Sequence, residues 1–448
     1  MSQRLLKMTV NLCRIIVALT FIFSGFVKAI DPIGLQYKLQ DYLGAIGIPG
    51  FLPDWMLLIM AVLLAAVEFC MGIFLLFAIQ RRLISKLIVV FMSIMTLITV
   101  WLVVANPVKD CGCFGDALHL TNTETLVKNI ILLGCSIVIM QRPLAMFRFI
   151  SESNQWIVIN YTIVFIFVSS GLSLYYLPLF DFRPYRIGTN IPHGMEIPKD
   201  AEQPLFETTF IMEKGGQRKE FTLNDYPDST WKFIDSKTVQ VKEGYIPPIH
   251  DFSVADRKTG KDLTDSVLRH KGYTFLLIAP YLERADDSNF GDIDQLYEYA
   301  QTYNIPFYCL TASTAKAIQR WRDITGAEYP FCITDETTLK TIVRSNPGLL
   351  LLKDGTIINK WSHNQLPNGA KLSLPITQSA LGKMPQDSVP GKILEIILWF
   401  ILPLTLLTLA DRLWAWSKWV RLKEKKDKQR LYQLFNKKNQ YEKENGSR

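Results

Sequence analysis

The spacing of its apolar runs constrains this chain more than any single motif. Five long runs crowd residues 9–180, a mixed polar stretch fills 181–390, and one more run occupies 393–410. A segment of ~20 apolar residues matches the hydrocarbon thickness of a bilayer, and the runs fall at roughly 9–30, 55–79, 84–105, 125–141, 156–179 and 393–410. Inside hydrocarbon the backbone has no water to bond, so each run is expected as a helix. No small-residue cleavage site follows the first run and further spans do, so it reads as a retained helix and not as a signal peptide. At 448 residues the chain has room for two or three domains. The expected class is an α-helical polytopic membrane bundle of about six spans with a domain outside the bilayer.

Basic residues in the short loops set the expected orientation. Arg4 and Lys7 precede the first run, Arg81, Arg82 and Lys86 follow the second, and Arg142 and Arg148 follow the fourth. The tail is dense from Arg412 through Lys423, Lys425, Lys426, Lys428 and Arg430. With six spans all four groups share one side, which is then cytoplasmic. Both termini are expected there, in the cytoplasmic (inner) membrane of a bacterium. Residues 31–54, the loop around Cys111 and the whole of 181–390 fall on the other side. The net charge of +8 is mostly a tail effect, so it marks no nucleic-acid footprint. Trp414, Trp416 and Trp419 before the basic tail read either as part of an orientation signal or as an interfacial anchor on anionic lipid.

The cysteines divide by place. Cys13, Cys70 and Cys135 fall within spans, where a free thiol packs as a small apolar group. Cys309 and Cys332 fall in the 181–390 region. Cys111 and Cys113 stand in the loop Cys111-Gly-Cys-Phe-Gly-Asp116, between the third and fourth runs. A disulfide between residues two apart closes a very small, strained ring, and strained disulfides are readily reduced. Gly112 permits so tight a fold of the backbone, and Gly115 extends the turn. Two other readings stay open. Cys111, Cys113 and His119 with Asp110 or Asp116 can furnish four metal ligands, although the spacing fits no usual closed zinc pattern and no metal is expected. The pair can also be thiols that only pack, against which stands the tendency of exposed thiols to oxidise outside the cytoplasm.

Charges inside the spans add to this. Glu68 lies near the middle of the second run, where a carboxylate costs about 2.5–3.5 kcal/mol on insertion scales. It is expected to face the bundle interior, paired or protonated, either as a proton carrier to a bound quinone or as a hydrogen-bonding clamp. Lys28 ends the first run, where snorkelling is the default, with an interhelix or substrate contact as the other reading. Arg14, near the inner boundary, is expected to snorkel.

With these residues in view, 8–145 resembles the DoxX family and its relative, the methylamine-utilisation protein MauE. The resemblance rests on Arg14-Ile-Ile-Val and Phe23-Ser-Gly-Phe-Val-Lys28, on Glu68 followed by Gly72, and on Cys111-Gly-Cys-Phe-Gly115. The cysteine element is the specific one and points to the MauE branch. The resemblance implies a four-helix membrane bundle active in oxidative maturation of extracytoplasmic proteins or in quinone-linked electron transfer. It gives Cys111 and Cys113 the redox positions and makes Glu68 and Lys28 supporting polar positions.

Residues 181–245 open Pro-rich and continue as short alternating runs, Leu205–Met212 and Lys219–Leu223, with Gly215-Gly216 as a plausible hairpin turn. This reads as a small β-rich lead-in. From 246 strand and helix signals alternate: strands at 273–279, 306–310 and 330–334, helices at 292–303, 315–325 and 338–344, and a hairpin of 349–352 with 356–359 around Lys353-Asp-Gly355. That order resembles an extracytoplasmic thioredoxin-like domain over 246–366. Its most specific match is Asn346-Pro347-Gly-Leu-Leu-Leu-Leu-Lys-Asp-Gly355, and the resemblance implies a cis Pro347 bordering a peptide-accepting groove. Where thioredoxins carry Cys-x-x-Cys, this chain reads Ala279-Pro-Tyr-Leu-Glu-Arg-Ala-Asp286, with no thiol to perform the exchange. Cys309 and Cys332 are expected to be separately buried rather than bridged.

The expected organisation is a four-helix domain at 1–150, a fifth span at 151–180, the lead-in at 181–245, the thioredoxin-like domain at 246–366, a linker at 367–390, a sixth span at 391–412 and a basic tail at 413–448. Two functions of different class follow. One is a quinone-linked redox protein that oxidises an extracytoplasmic thiol protein or thioredoxin-like partner through Cys111 and Cys113. The other is a non-enzymatic binding or assembly protein that presents a degenerate thioredoxin-like domain.

Overall fold

A computed structural model describes residues 3–108, 110–198, 200–201, 205–214, 217–222, 232–242, 244–385 and 389–445. Two units emerge: Met1–Phe182 with Gln386–Arg448, and Arg183–Pro385.

The first unit is helical: α1 (Gln3–Ile30), α2 (Pro32–Ala45), α3 (Asp54–Phe77), α4 (Arg81–Ala105), α5 (Asn122–Gln141) and α6 (Gln155–Tyr175). Six helices among the described residues are long and apolar enough to cross a membrane, the sixth being Val389–Leu434. The chain is a multi-pass membrane protein. Large side chains such as Leu97 and Val104 stay exposed on the helix flanks, as a lipid-facing surface requires. Small residues bring α1 and α3 into backbone contact: a Cβ on Gly25 would strike the Phe69 main chain, and one on Gly72 would lie 2.8 Å from Ile22 N.

Arg14 does not snorkel. It is 2 % exposed and turned inward, its Nε donating to Leu75 O at 3.0 Å, Nη1 to Phe147 O at 2.6 Å, and Nη2 to Leu76 O. The carbonyls at the end of α3 lie beyond the regular helical ladder, and a guanidinium reaches several acceptors at once.

The last span is joined to the bundle by several polar contacts. Asp411 accepts from Ser151 N at 2.8 Å and from Asn154 Nδ2 at 2.6 Å, placing a carboxylate at the start of α6. The span itself runs as α12 (Val389–Ile396), a π turn at Ile397–Ile401, and α13 (Leu402–Asn445). Pro403 explains the π turn: it has no N–H for the carbonyl four residues back, which is Trp399 O, and Tyr161 Oη donates to that oxygen instead. The residues expected as a basic tail continue this helix through Asn445.

The second unit contains α7 (Ile191–Met195) and a sheet of β1 (Leu205–Lys214), β2 (Gln217–Thr222) and β3 (Lys232–Lys242), antiparallel in the order β2-β1-β3. This is the expected β-rich lead-in; the Gly215-Gly216 turn lies outside the described residues. Then come β4 (Ala255–Asp256), α8 (Thr264–Leu268), β5 (Tyr273–Ile278), α9 (Phe290–Thr302), β6 (Phe307–Thr311), α10 (Ala315–Thr325), β7 (Phe331–Ile333), α11 (Glu336–Ile342), β8 (Gly348–Lys353) and β9 (Thr356–Ser362). These strands form a sheet in the order β4-β7-β6-β5-β8-β9, with β5, β6 and β7 parallel and β8 and β9 antiparallel. The β6-β5-β8-β9 core, with helices between the parallel strands, is the thioredoxin-like arrangement. Strands β5 and β8 are apolar nearly throughout because side chains cover both their faces. Asp354 and Gly355 both take positive φ, 50° and 73°, which a two-residue hairpin turn of the primed type needs. The Asn346–Pro347 bond is cis.

This unit is wider than 246–366. Gly188 N donates to Ile357 O at 2.8 Å, so the Pro-rich entry runs along β9. The segment expected as a linker is no free tether either. Ile376 and Leu381 sit in the same core as Phe275 and Trp321, and Tyr273 Oη donates to Gly382 O at 3.1 Å.

Candidate functional site

Helix α4 ends at Asn106, and α5 starts at Thr121 with a capping box in which Thr121 and Glu124 exchange side-chain and backbone bonds. The cysteine loop hangs between these two fixed ends. Gly112 and Gly115 hold φ of 62° and 54°, and Gly115 N closes the turn on Gly112 O at 3.0 Å. No residue with a Cβ adopts that path without strain. The turn brings Cys111 Sγ and Cys113 Sγ to 2.8 Å, both as free thiols.

Other elements fix the loop from two sides. Ser24 Oγ on α1 donates to Cys113 O at 2.6 Å. On α2, Tyr42 Oη donates to Cys111 O, Lys38 pairs with Asp110, and the Lys38 chain lies over Gly112. Helix α2 therefore covers the cysteines, leaving Cys111 9 % exposed. In the sequence 31–54 is only the stretch between the first two apolar runs. Asp31 capping Gly34 N with Pro32 at the first helical position is the signal that marks this helix.

Beneath the loop Lys28 Nζ meets Glu68 Oε2 at 2.6 Å, both side chains under a tenth exposed. Lys28 is thus an interhelix contact and not a snorkelling one: with Glu68 in reach, the buried pair replaces water. A cavity of about 30 Å³ joins Lys28, Glu68, Cys113, Lys128 and Asn129. That is room for one or two waters. Lys128 also lies over the Phe114 ring at 4.3 Å. Sequence reasoning passed over Lys128.

The two thiols share their titration. Cys113 is held down to about 6, first by the hydrogen bond from Cys111, then by the Lys128 and Lys28 ammonium groups, against the opposing effect of burial. Cys111 is pushed up by the same bond and by burial, since it is the thiol that keeps the shared proton. Of the two, Cys113 is therefore the readier to ionise. The metal alternative is not assembled: His119 Nδ1 turns to Asp110 Oδ2 at 3.4 Å, and among the described residues no three His, Cys, Asp or Glu side chains converge as ligands.

In the second unit neither the Pro347 loop nor the Ala279–Asp286 segment carries a thiol. Asn346 Nδ2 donates to Tyr281 O at 2.8 Å, and Asp286 N donates to Asn346 O at 2.9 Å, so the Ala279–Asp286 segment lies against the proline loop. Ser345 Oγ is 2.9 Å from His363 Nδ1, and His363 Nε2 is 3.5 Å from Asp286 Oδ2. That chain lacks a free nucleophile. Ser345 Oγ already accepts from His363 N at 3.0 Å and donates its proton to Pro347 O at 2.5 Å. Cys309 and Cys332 lie on adjacent strands, fully buried and unbridged.

Residues 6–142 match the family described as methylamine utilisation protein MauE, and residues 206–243 match a domain of unknown function, DUF8463. The first match covers α1 to α5 and includes Lys28, Glu68, Cys111 and Cys113. No curated protein matches the chain. Among solved structures, a candidate protein disulfide isomerase from Bacteroides thetaiotaomicron is 16 % identical, covering 26 % of this chain and 76 % of its own, with a TM-score of 0.21. An uncharacterised conserved protein from Geobacillus kaustophilus is 10 % identical, covering 31 % and 83 %, with a TM-score of 0.23.

Proposed function

We propose that this protein is a membrane thiol–disulfide redox protein of the DoxX/MauE type, fused to a thioredoxin-like domain without a dithiol, and that Cys111 and Cys113 are its redox pair. The observation that carries this is the glycine turn that sets the two sulfurs 2.8 Å apart beside Lys28 and Lys128. In the oxidised pair, a thiolate of an extracytoplasmic partner attacks Cys111 Sγ. The Cys111–Cys113 bond breaks and Cys113 leaves as the thiolate, the better leaving group because its proton is the more weakly held. A second partner thiol then displaces Cys111, so the partner gains a disulfide and the pair gains two electrons. In this reading the basic helix ends face the cytoplasm of a bacterial inner membrane, and the cysteine loop and residues 181–390 face outward.

The electrons need an acceptor, and a membrane quinone is the class we propose. The 30 Å³ cavity beside Cys113 does not fit a quinone ring. An apolar groove of about 570 Å³ lined by Phe23, Phe26, Phe69 and Phe400 has the volume, and Thr405 is its sole polar side chain. The Phe23 ring lies 5.5 Å from that of Phe114, the neighbour of Cys113. Thiol trapping of Cys111 and Cys113 in intact cells, with and without quinone, tests the proposal. The pair is expected to be oxidised with quinone and to accumulate as thiols without it. Thiols in every condition would overturn the redox reading, and an unchanged mixture would overturn the quinone alone. The second reading, a binding or assembly protein, is favoured by one observation: the Pro347 loop has its serine committed and no cysteine. It requires a Cys113→Ser variant to keep full function in cells.

A further inference from the structure

The end of the bundle where α1 and α4 begin and α5 finishes holds an open-sided pocket of about 500 Å³, within the ~300–1,000 Å³ range of small-ligand sites. Three cations line it, Lys7, Arg82 and Arg142, together with apolar Leu6, Pro143 and Leu144. No carboxylate lines it, and among the described residues none of the three cations has an ion-pair partner. The wall is built rather than loose. Arg81 Nη1 donates to Met146 O at 2.9 Å, Asn11 Nδ2 to Ala145 O at 3.3 Å, and Phe147 N to Asn11 Oδ1 at 3.2 Å, so the turn after α5 is tied to both α4 and α1.

We propose that this pocket binds the phosphate-bearing headgroup of an anionic phospholipid. Three cations lining one pocket with no carboxylate among them favour an anion, and two guanidinium groups suit the planar, bidentate bonding of phosphate oxygens. The apolar half of the lining separates a lipid from a free oxyanion. The pocket sits at the terminal turns of spanning helices, level with the membrane boundary, where a glycerol backbone and acyl chain continue from the headgroup. Basic pockets between helix ends are suited to this role. A loop charge that serves orientation alone needs no concave wall.

The test uses the purified full chain and native mass spectrometry after exchange into phosphatidylcholine with added phosphatidylglycerol. The wild type is expected to retain phosphatidylglycerol at least tenfold over phosphatidylcholine. Arg82→Gln with Arg142→Gln should abolish that preference, while Lys425→Gln with Lys426→Gln, exposed on α13, should keep it. Equal retention of the two lipids by the wild type, or an unchanged preference in the Arg82/Arg142 variant, would overturn the site. An equal loss in the Lys425/Lys426 variant would do so too, because it would assign retention to diffuse charge. Displacement of the lipid by an equal concentration of inorganic phosphate would overturn the lipid as occupant. Should the double arginine variant fail to fold, Lys7→Gln at its exposed position carries the same test and should lower the preference severalfold.

Discussion

The chain treats its two extramembrane cysteine pairs in opposite ways. Cys111 and Cys113 share a glycine turn and a proton, and Cys113 is held down to about 6. Cys309 and Cys332 occupy neighbouring strands out of register with each other, since Cys309 opposes Phe331 and Cys332 opposes Leu310. Burial pushes both of the latter up, Cys332 to about 11. All four thiols are largely shielded from water, so shielding does not decide reactivity. What differs is company: a neighbouring thiol proton and two ammonium groups draw Cys113 down, whereas burial is joined by the adjacent Cys332 at Cys309 and by the Asp256 carboxylate at Cys332, and both push up.

The widest separation of the two pairs comes from deleting one sulfur in each. Cys113→Ser should abolish interconversion between thiol and disulfide in the membrane unit. Cys309→Ser should leave it unchanged, read by thiol trapping of the remaining cysteines. Loss of cycling in the Cys309 variant would dissolve the contrast. Next in size is the support beneath the loop. Lys28→Met or Glu68→Leu alone strands a buried charge and should cost about 3–5 kcal/mol, while the double change should cost much less. Denaturation of the four proteins in one detergent measures the cycle. A single variant as stable as the wild type would mean that water reaches the remaining charge.

Much of this was legible in the sequence, because the features concerned are local. Apolar runs long enough to cross a bilayer mark their own helices, and a run such as Leu349–Leu352 beside Asp354-Gly355 marks a buried hairpin. The cysteine spacing announces itself, and so does Glu68 in the middle of a span. Lys128 and Asn129 were equally visible, two charged or polar residues inside the fourth apolar run, and the logic applied to Glu68 would have singled them out. Other features depend on partners far away in the chain. Arg14 turns inward because carbonyls of Leu75, Leu76 and Phe147 await it, and no window around Arg14 contains them. Helix α2 lacks a clean apolar stripe and meets the cysteine loop through polar contacts, such as that of Lys38 with Asp110, 72 residues on. Residues 367–385 look like a tether by composition, and only the cleft that receives Ile376 and Leu381 makes them part of a core.

A titration sharpens the same contrast. Alkylation needs the thiolate, so the Cys113 rate should climb as pH rises through about 6 and flatten by neutral pH. Cys332 should react appreciably only near about 11 while the fold holds. Lys128→Met removes an ammonium that favours the thiolate, so its midpoint should move to higher pH. An unmoved midpoint would leave the Cys111 bond and Lys28 as the whole cause.

The smallest effect belongs to the cover over Cys111 and Cys113. Lys38 and Asp110 are 30 % and 24 % exposed in their side chains, so their ion pair contributes at most about 1 kcal/mol. Lys38→Ala should therefore ease lifting of α2 and raise alkylation of Cys111 by up to about fivefold, the factor that 1 kcal/mol represents. The midpoint of the pH profile should stay where it is, because Lys38 is not among the groups that set the titration of either thiol. A shifted midpoint with an unchanged plateau would recast Lys38 as a third cation acting on the thiolate. The contrast between the two cysteine pairs would then rest wholly on charge, with access to the loop playing no part.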